Sequence, residues 1–190
     1  MCLYVNEKEQ EKLEKQTINS EFTAISEENV IEYVMERFED VKMSNQIKNL
    51  VSFQAMNKYM IMAHSQEELK NMGNIVANYK KIKFSEILKK YETHLVKSLE
   101  NLPTIKKHSN VLMHIFGYFS NHFNQQEKEN FFSLLNEFKE EKITIGRILS
   151  EINPIIYRFN NTYLASQTYF LLYANPNPEN IFHLLSKKKN

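Results

Sequence analysis

The scarcity of glycine and proline is the feature that most limits the folds open to this chain. Three Gly and four Pro are spread over 190 residues, which leaves few places for the tight turns that β-hairpins need. The long segments between them show no hairpin pattern, and the hydrophobic content of 42% is enough for a core. The sequence therefore predicts an all-α fold, a single compact domain of about seven to nine helices.

The composition of the two ends sets the expected boundaries of this domain. Residues 1–24 are rich in Glu, Lys and Gln, and we expect a flexible N-terminal arm there. Residues 25–186 carry the helical pattern, and residues 187–190 read as a frayed basic tail. The sequence has no apolar run of membrane-spanning length and no signal-peptide pattern. We therefore expect a cytoplasmic protein that does not act at a membrane.

Apolar periodicity locates the individual helices. One continuous helix is expected over residues 44–64, and another over 143–157 with a break or kink at Pro154. A helix over 163–173 and a short one over 179–185 are expected to follow.

Polar residues mark several helix starts. Ser26 is expected to cap the first amphipathic helix. Ser65 with Glu68, and Asn124 with Glu127, have the spacing of a capping box.

The stretch from Pro103 to Phe123 combines a helix signal with the largest concentration of polar chemistry. Thr104 after Pro103 suits an N-cap, and apolar residues then recur at helical spacing. Polar residues three or four positions apart share one face of this helix: Lys107, Asn110, His114 and Tyr118.

Two interpretations of this polar face remain open. Asn110 and His114 are either hydrogen-bonded groups at the edge of the core or part of a recognition face to which Lys106 and Lys107 add charge. Gly117 lies in the same helix, where a glycine often marks a close helix crossing or a ligand that needs room.

Charge is distributed unevenly although the net charge is only +1. Residues 1–45 carry 5 basic and 11 acidic side chains, and residues 46–190 carry 19 basic and 12 acidic ones. Between Lys80 and Lys107 there are eight lysines against three glutamates. This asymmetry indicates an anionic partner or, more commonly, a solvated lysine-rich helix face.

Most motifs of established chemistry are missing from the sequence. It has no phosphate-binding glycine loop, no zinc-ligand spacing and no nucleophile elbow. Cys2 is the only cysteine, so no internal disulfide forms. We therefore expect no metal, no cofactor and no catalytic residue.

Several groups of residues resemble the YbgA-like domain family over roughly residues 45–185, in the family's order. They are MAHS at 62–65, Pro-Thr at 103–104, HSNVLMHIFGYF at 108–119, Tyr163-Leu164-x-x-Gln167 and NPNP at 175–178. The family is small, helical and of unknown function. It occurs alone or fused behind a cysteine-rich domain that removes sulfur from thiolated uracil or uridine. The resemblance thus implies a helper role around RNA or thionucleosides.

The chain also departs from the family's pattern. Gln54 and Asn57 stand where the family commonly has two histidines, and Ile105 stands where it commonly has an arginine. Other positions do match the family: Lys58, His64, His108, Asn110, His114, Tyr118 and Gln167.

The resulting hypothesis is an accessory RNA-binding domain without catalytic activity, with tRNA and a cysteine-rich desulfidase-type protein as expected partners. A protein-interaction module that docks on a sulfur-transfer or repair enzyme is the alternative. An enzyme that uses His114 as general base is the third hypothesis, and it needs a carboxylate to orient the imidazole. The residues expected to contact nucleic acid are Lys58, His64, Lys106, Lys107, His108, Asn110, His114, Tyr118, Gln167 and Tyr169.

Overall fold

The computed structural model describes residues 26–158 and 162–174. Within these ranges every regular element is helical, which confirms the all-α prediction. These two ranges contain ten α-helices, eight of them with seven or more residues. They are α1 (Glu27–Ser44), α2 (Ile47–Met56), α3 (Lys58–His64), α4 (Gln66–Ala77), α5 (Phe84–Leu99), α6 (Ile105–Phe119), α7 (Gln125–Lys139), α8 (Ile145–Arg158), α9 (Thr162–Ala165) and α10 (Thr168–Tyr173), with a 3₁₀ turn at Tyr79–Lys81.

The short helix α3 lies at the centre of the fold. Its residues from Tyr59 to His64 are all buried, and it packs against α2, α4, α5, α6 and α10. A helix that is apolar on all sides is stable only when other elements surround it. The remaining helices extend this core outward, with α7 on α6, α8 on α7, and α9 and α10 on α8.

Aromatic side chains connect the outer helices to one another. The rings of Phe38 and Tyr91 stack with centroids 5.5 Å apart, and Phe53 lies 5.5 Å from Phe38, so α1, α2 and α5 share one cluster. On the other side, the rings of Phe116 and Phe131 stack at 4.6 Å and join α6 to α7. Such pairs contribute about 0.5–1.5 kcal/mol each beyond the area that they bury.

The N-terminal caps of four helices lie where the sequence predicts them. The side chains of Ser26, Ser65, Thr104 and Asn124 each accept a hydrogen bond from a first-turn amide. The box of Asn124 is complete because Glu127 bonds back to the cap amide. The predicted box at Ser65 is only half formed.

Glu68, the expected partner in that box, forms ion pairs with two residues of α5. Its carboxylate lies 2.6 Å from both His94 Nδ1 and Lys97 Nζ. Burial tends to raise the pKa of Glu68, but hydrogen bonds from Lys97, His94 and Asn71 outweigh it and lower the pKa to about 2. This carboxylate therefore fixes α4 on α5 instead of capping α4.

The continuous helix expected over residues 44–64 is wrong, because the chain breaks between α2 and α3. Asn57 Nδ2 donates to the Phe53 carbonyl at 2.9 Å, and the side-chain amide of Gln167 enters the helix. Side chains of this kind, inserted into the backbone ladder, are an established cause of helix breaks.

One other helix prediction needs correction, because residues 163–173 form two short helices where one was expected. Helix α8 continues through Pro154, which excludes a break there, and a kink at this residue stays a prediction. A Cβ at Gly117 would meet no described atom within 4 Å, so this glycine does not mark a close helix crossing.

Several expectations lie outside the described residues. They concern the arm at 1–24, the motif at 175–178, the helix at 179–185 and the tail at 187–190. In the described ranges, no helix combines the length and the apolar character needed to cross a membrane.

Candidate functional site

A surface pocket of about 520 Å³ lies where α3 and α5 end and where α4 and α6 begin. We call it the basic pocket. Four of the ten residues that the sequence singled out line it: His64, Lys106, Lys107 and Asn110. The other lining residues are Met62, Ser65, Gln66, Asn101 and Thr104.

Two helix N-termini meet at the basic pocket. Ser65 caps α4, with its Oγ accepting from the Glu68 amide at 3.2 Å. Thr104 caps α6, with its Oγ1 accepting from the Lys107 amide at 3.3 Å. Each cap satisfies one amide of its first turn, so the earlier amides of that turn remain for solvent or a ligand. Together these ends supply partial positive charge and N–H donors, which attract anions.

Two lysines add full charges to the pocket. Lys106 is exposed, while Lys107 Nζ donates to the Leu102 carbonyl at 3.0 Å and is held near the rim. No carboxylate belongs to the described lining. The pocket is therefore electropositive.

An amide pair connects the two helices that open into the pocket. Asn110 Nδ2 donates to Gln66 Oε1 at 3.3 Å, which joins α6 to α4. Both side chains keep further donor and acceptor capacity, because a carboxamide has two N–H groups and a carbonyl.

His64 forms the buried floor of the pocket, with no exposed surface. Its Nδ1 lies 3.1 Å from the Asn101 carbonyl, so this nitrogen carries the hydrogen. Its Nε2 lies 3.5 Å from Glu27 Oε2. This Nε2 is buried and forms no hydrogen bond with a described residue.

Burial shifts the pKa values of both His64 and Glu27. It lowers the pKa of His64 to about 4, against the opposing hydrogen bond to Asn101, and the charge of Lys107 lowers it further. Burial also raises the pKa of Glu27, against a hydrogen bond from Tyr173 that lowers it. Burial thus shifts both groups toward their neutral forms.

The structure places three of the expected contact residues in the core. The hydroxyl of Tyr169 lies 2.8 Å from His108 Nδ1, and burial lowers the pKa of His108 to about 4. Gln167 lies between α2 and α3 and is 1% exposed. Contact between a ligand and these side chains would require a movement of α6 or α10.

The remaining three residues lie on the surface outside the basic pocket. His114 and Tyr118 are exposed and continue the face of α6 beyond Asn110 in steps of one turn. Lys58 is exposed at the start of α3, with its Nζ 5.7 Å from the Tyr59 ring. No described carboxylate forms a hydrogen bond or ion pair with His114.

Sequence reasoning missed part of this site. The sequence identifies Ser65 and Thr104 only as helix caps, and it gives no local signal for a site at Gln66 or Asn101. The caps are visible in the sequence, but 39 positions separate them and nothing local indicates that they meet. In the described part of the chain, no group of three His, Cys, Asp or Glu side chains could hold a metal ion.

Comparison with known proteins assigns the sequence to a family. Residues 58–174 match the family described as "Protein of unknown function (DUF1722)". The chain is 26% identical over 125 residues to "Uncharacterized protein YbgA" of Escherichia coli (strain K12). The aligned residues make up 65% of this chain and 74% of that protein. No solved structure matches the chain. Since the family model spans more than half of the chain, the protein belongs to this DUF1722 family and contains a YbgA-like domain.

Proposed function

We propose that the protein is an accessory RNA-binding domain, for tRNA or another RNA that carries thiolated nucleosides, without catalytic activity of its own. One observation carries the proposal: two helix N-termini and two lysines meet in a pocket whose described lining has no carboxylate. A backbone phosphate suits this pocket, since helix N-termini and lysines both bind phosphate oxygens.

The surface beside the pocket supports a longer ligand. Asn110 lies at the pocket, and His114 and Tyr118 follow it along the exposed face of α6. An amide, an imidazole and a phenol ring at one-turn intervals offer hydrogen bonds and a stacking surface to unpaired nucleotides. An RNA strand with one phosphate in the pocket would then run along α6.

The resemblance to the YbgA-like family favours RNA over other polyanions. Relatives fused behind a desulfidase-type domain would place such a surface next to an enzyme that acts on thiolated uracil or uridine. In that setting the domain would hold the RNA while its neighbour performs the chemistry.

Binding of labelled bulk tRNA to the purified protein at 50 mM and 200 mM salt tests the proposal. We expect affinity to fall steeply with salt, because phosphate contacts release counterions. The double variant Lys106→Glu/Lys107→Glu should lose most of the binding at low salt, since it reverses two charges at the pocket.

The matched control is Lys89→Glu/Lys90→Glu, which makes the same charge change at two exposed lysines of α5. It should retain most of the affinity. An equal loss in both double variants would contradict a specific pocket, and no binding of wild type at low salt would contradict RNA binding by this protein alone. The protein-docking alternative would then be pursued by pull-down.

A further inference from the structure

A second pocket, of about 280 Å³, lies between α1, α2 and the start of α10. It shares no lining residue with the basic pocket. Its walls are largely apolar, formed by Val41, Phe53, Met56 and the ring of Tyr33. Its volume is just below the range of about 300–1,000 Å³ that is usual for small-molecule sites, so it suits a ligand of about one ring.

Two nearly buried polar side chains in this pocket have unused hydrogen-bonding capacity. Asn57 is 4% exposed, and its Nδ2 donates to the Phe53 carbonyl. No described residue donates to Asn57 Oδ1. Thr168 is 5% exposed, and its hydroxyl forms no hydrogen bond with any described residue. Neither atom is among the fully buried side-chain atoms that lack a partner in the described residues, so both are open to solvent at the pocket, and a ligand there would replace water as their partner.

The chemistry of these two groups defines the ligand. Asn57 Oδ1 accepts, so it suits an N–H donor of the ligand, and the second N–H of the Asn57 amide can donate to a ligand oxygen. A hydroxyl also donates, so Thr168 suits a carbonyl oxygen of the ligand.

Charge at the pocket argues against an ion. Arg37 lines the pocket together with Asp40, and their side chains form an ion pair with an N···O distance of 3.3 Å. The guanidinium is thus balanced by a carboxylate, and a charged ligand would meet one charge of its own sign. An uncharged ligand meets no such repulsion.

We propose that this pocket binds a small uncharged aromatic amide or lactam, with its ring on the apolar wall and its N–H and carbonyl on Asn57 and Thr168. This site is separate from the proposed RNA surface, and it would bind its ligand whether or not the protein binds RNA.

Titration with benzamide, followed by ligand-observed NMR, tests this proposal. Wild type should bind benzamide more tightly than toluene, which lacks the amide, and more tightly than benzoate, which is charged. Thr168→Val keeps the shape of the side chain and should weaken benzamide binding by about tenfold, the effect of one buried hydrogen bond. Asn57→Leu should weaken it by at least as much.

Thr162→Val is the matched control, because it makes the same change at an exposed threonine of α9. It should leave the affinity unchanged. Asn57 also bonds to the Phe53 carbonyl, so its variant could unfold, and Thr168→Val then decides the question. The proposal is overturned if wild type does not bind benzamide at 10 mM (about the weakest affinity of a one-ring ligand), if toluene binds equally well, or if Thr168→Val binds like wild type.

Discussion

Gly117 lowers the stability of its helix although the space around it does not require a glycine. It lies on the exposed side of α6 in a run of helical residues. Glycine in a helix interior costs up to about 1 kcal/mol relative to alanine, because it loses more conformational freedom on folding. Nothing described lies within 4 Å of a Cβ built at this position, so an alanine would fit.

We therefore expect Gly117→Ala to raise the free energy of unfolding by about 0.5–1 kcal/mol. Urea denaturation of the two proteins under the same conditions measures this difference. A lower stability of the variant would contradict the expectation and would show that the methyl group meets an obstacle.

At the scale of elements, the α2–α3 break depends on one side chain from a distant part of the chain. A continuous helix would join the Tyr59 amide to the Ala55 carbonyl, four residues earlier. Gln167 takes both places: its Oε1 accepts from the Tyr59 amide at 3.4 Å, and its Nε2 donates to the Ala55 carbonyl at 2.8 Å. One carboxamide thus replaces a helix hydrogen bond and attaches the start of α10 to the central helix.

Gln167→Leu keeps most of the side-chain volume but leaves the Tyr59 amide and the Ala55 carbonyl without this partner. We expect the free energy of unfolding to fall by about 2–4 kcal/mol, since each unsatisfied buried group costs about 1–3 kcal/mol. Chemical denaturation measures the loss, with Gln125→Leu at an exposed position of α7 as the control. A loss below about 1 kcal/mol would instead indicate that the helix closes its own Ala55–Tyr59 bond in the variant.

At the scale of the whole molecule, buried titratable groups couple folding to pH. His64 and His108 lie in the interior, and burial lowers the pKa of each from 6.5 to about 4. Between these two values the unfolded chain binds protons that the folded protein does not, so stability decreases as the pH falls. Glu27, with its raised pKa, acts in the opposite direction above pH 4.5 and offsets part of this loss.

We expect the free energy of unfolding to decrease from pH 7 to pH 4, by up to about 3 kcal/mol for each buried imidazole, at 1.36 kcal/mol per pKa unit. Below pH 4.5 the protonation of Glu68, whose pKa is lowered to about 2, should extend the loss.

Denaturation at a series of pH values measures this slope. His108→Phe should make the slope shallower, because it removes one of the two buried imidazoles. His114→Ala, at an exposed position, should leave the slope as it is. An unchanged slope in His108→Phe would contradict the assignment of this pH dependence to His108.

Features that depend on nearby residues can be predicted from the amino-acid sequence. Apolar spacing within one helix decided which face is buried, and the caps at Ser26, Thr104 and Asn124 decided where helices begin, because both effects act over three or four positions. The family motifs, including the one around His64, are likewise legible without a structure.

How these parts meet depends on contacts between residues that are far apart in the chain. The break at Asn57 needs Gln167, 110 positions away, and a periodicity of 3.6 residues carries no information about such a partner. The basic pocket exists because the caps at Ser65 and Thr104 come together. Whether a polar residue such as Tyr169 faces solvent or the core depends on the packing of neighbouring helices, which the local sequence does not specify.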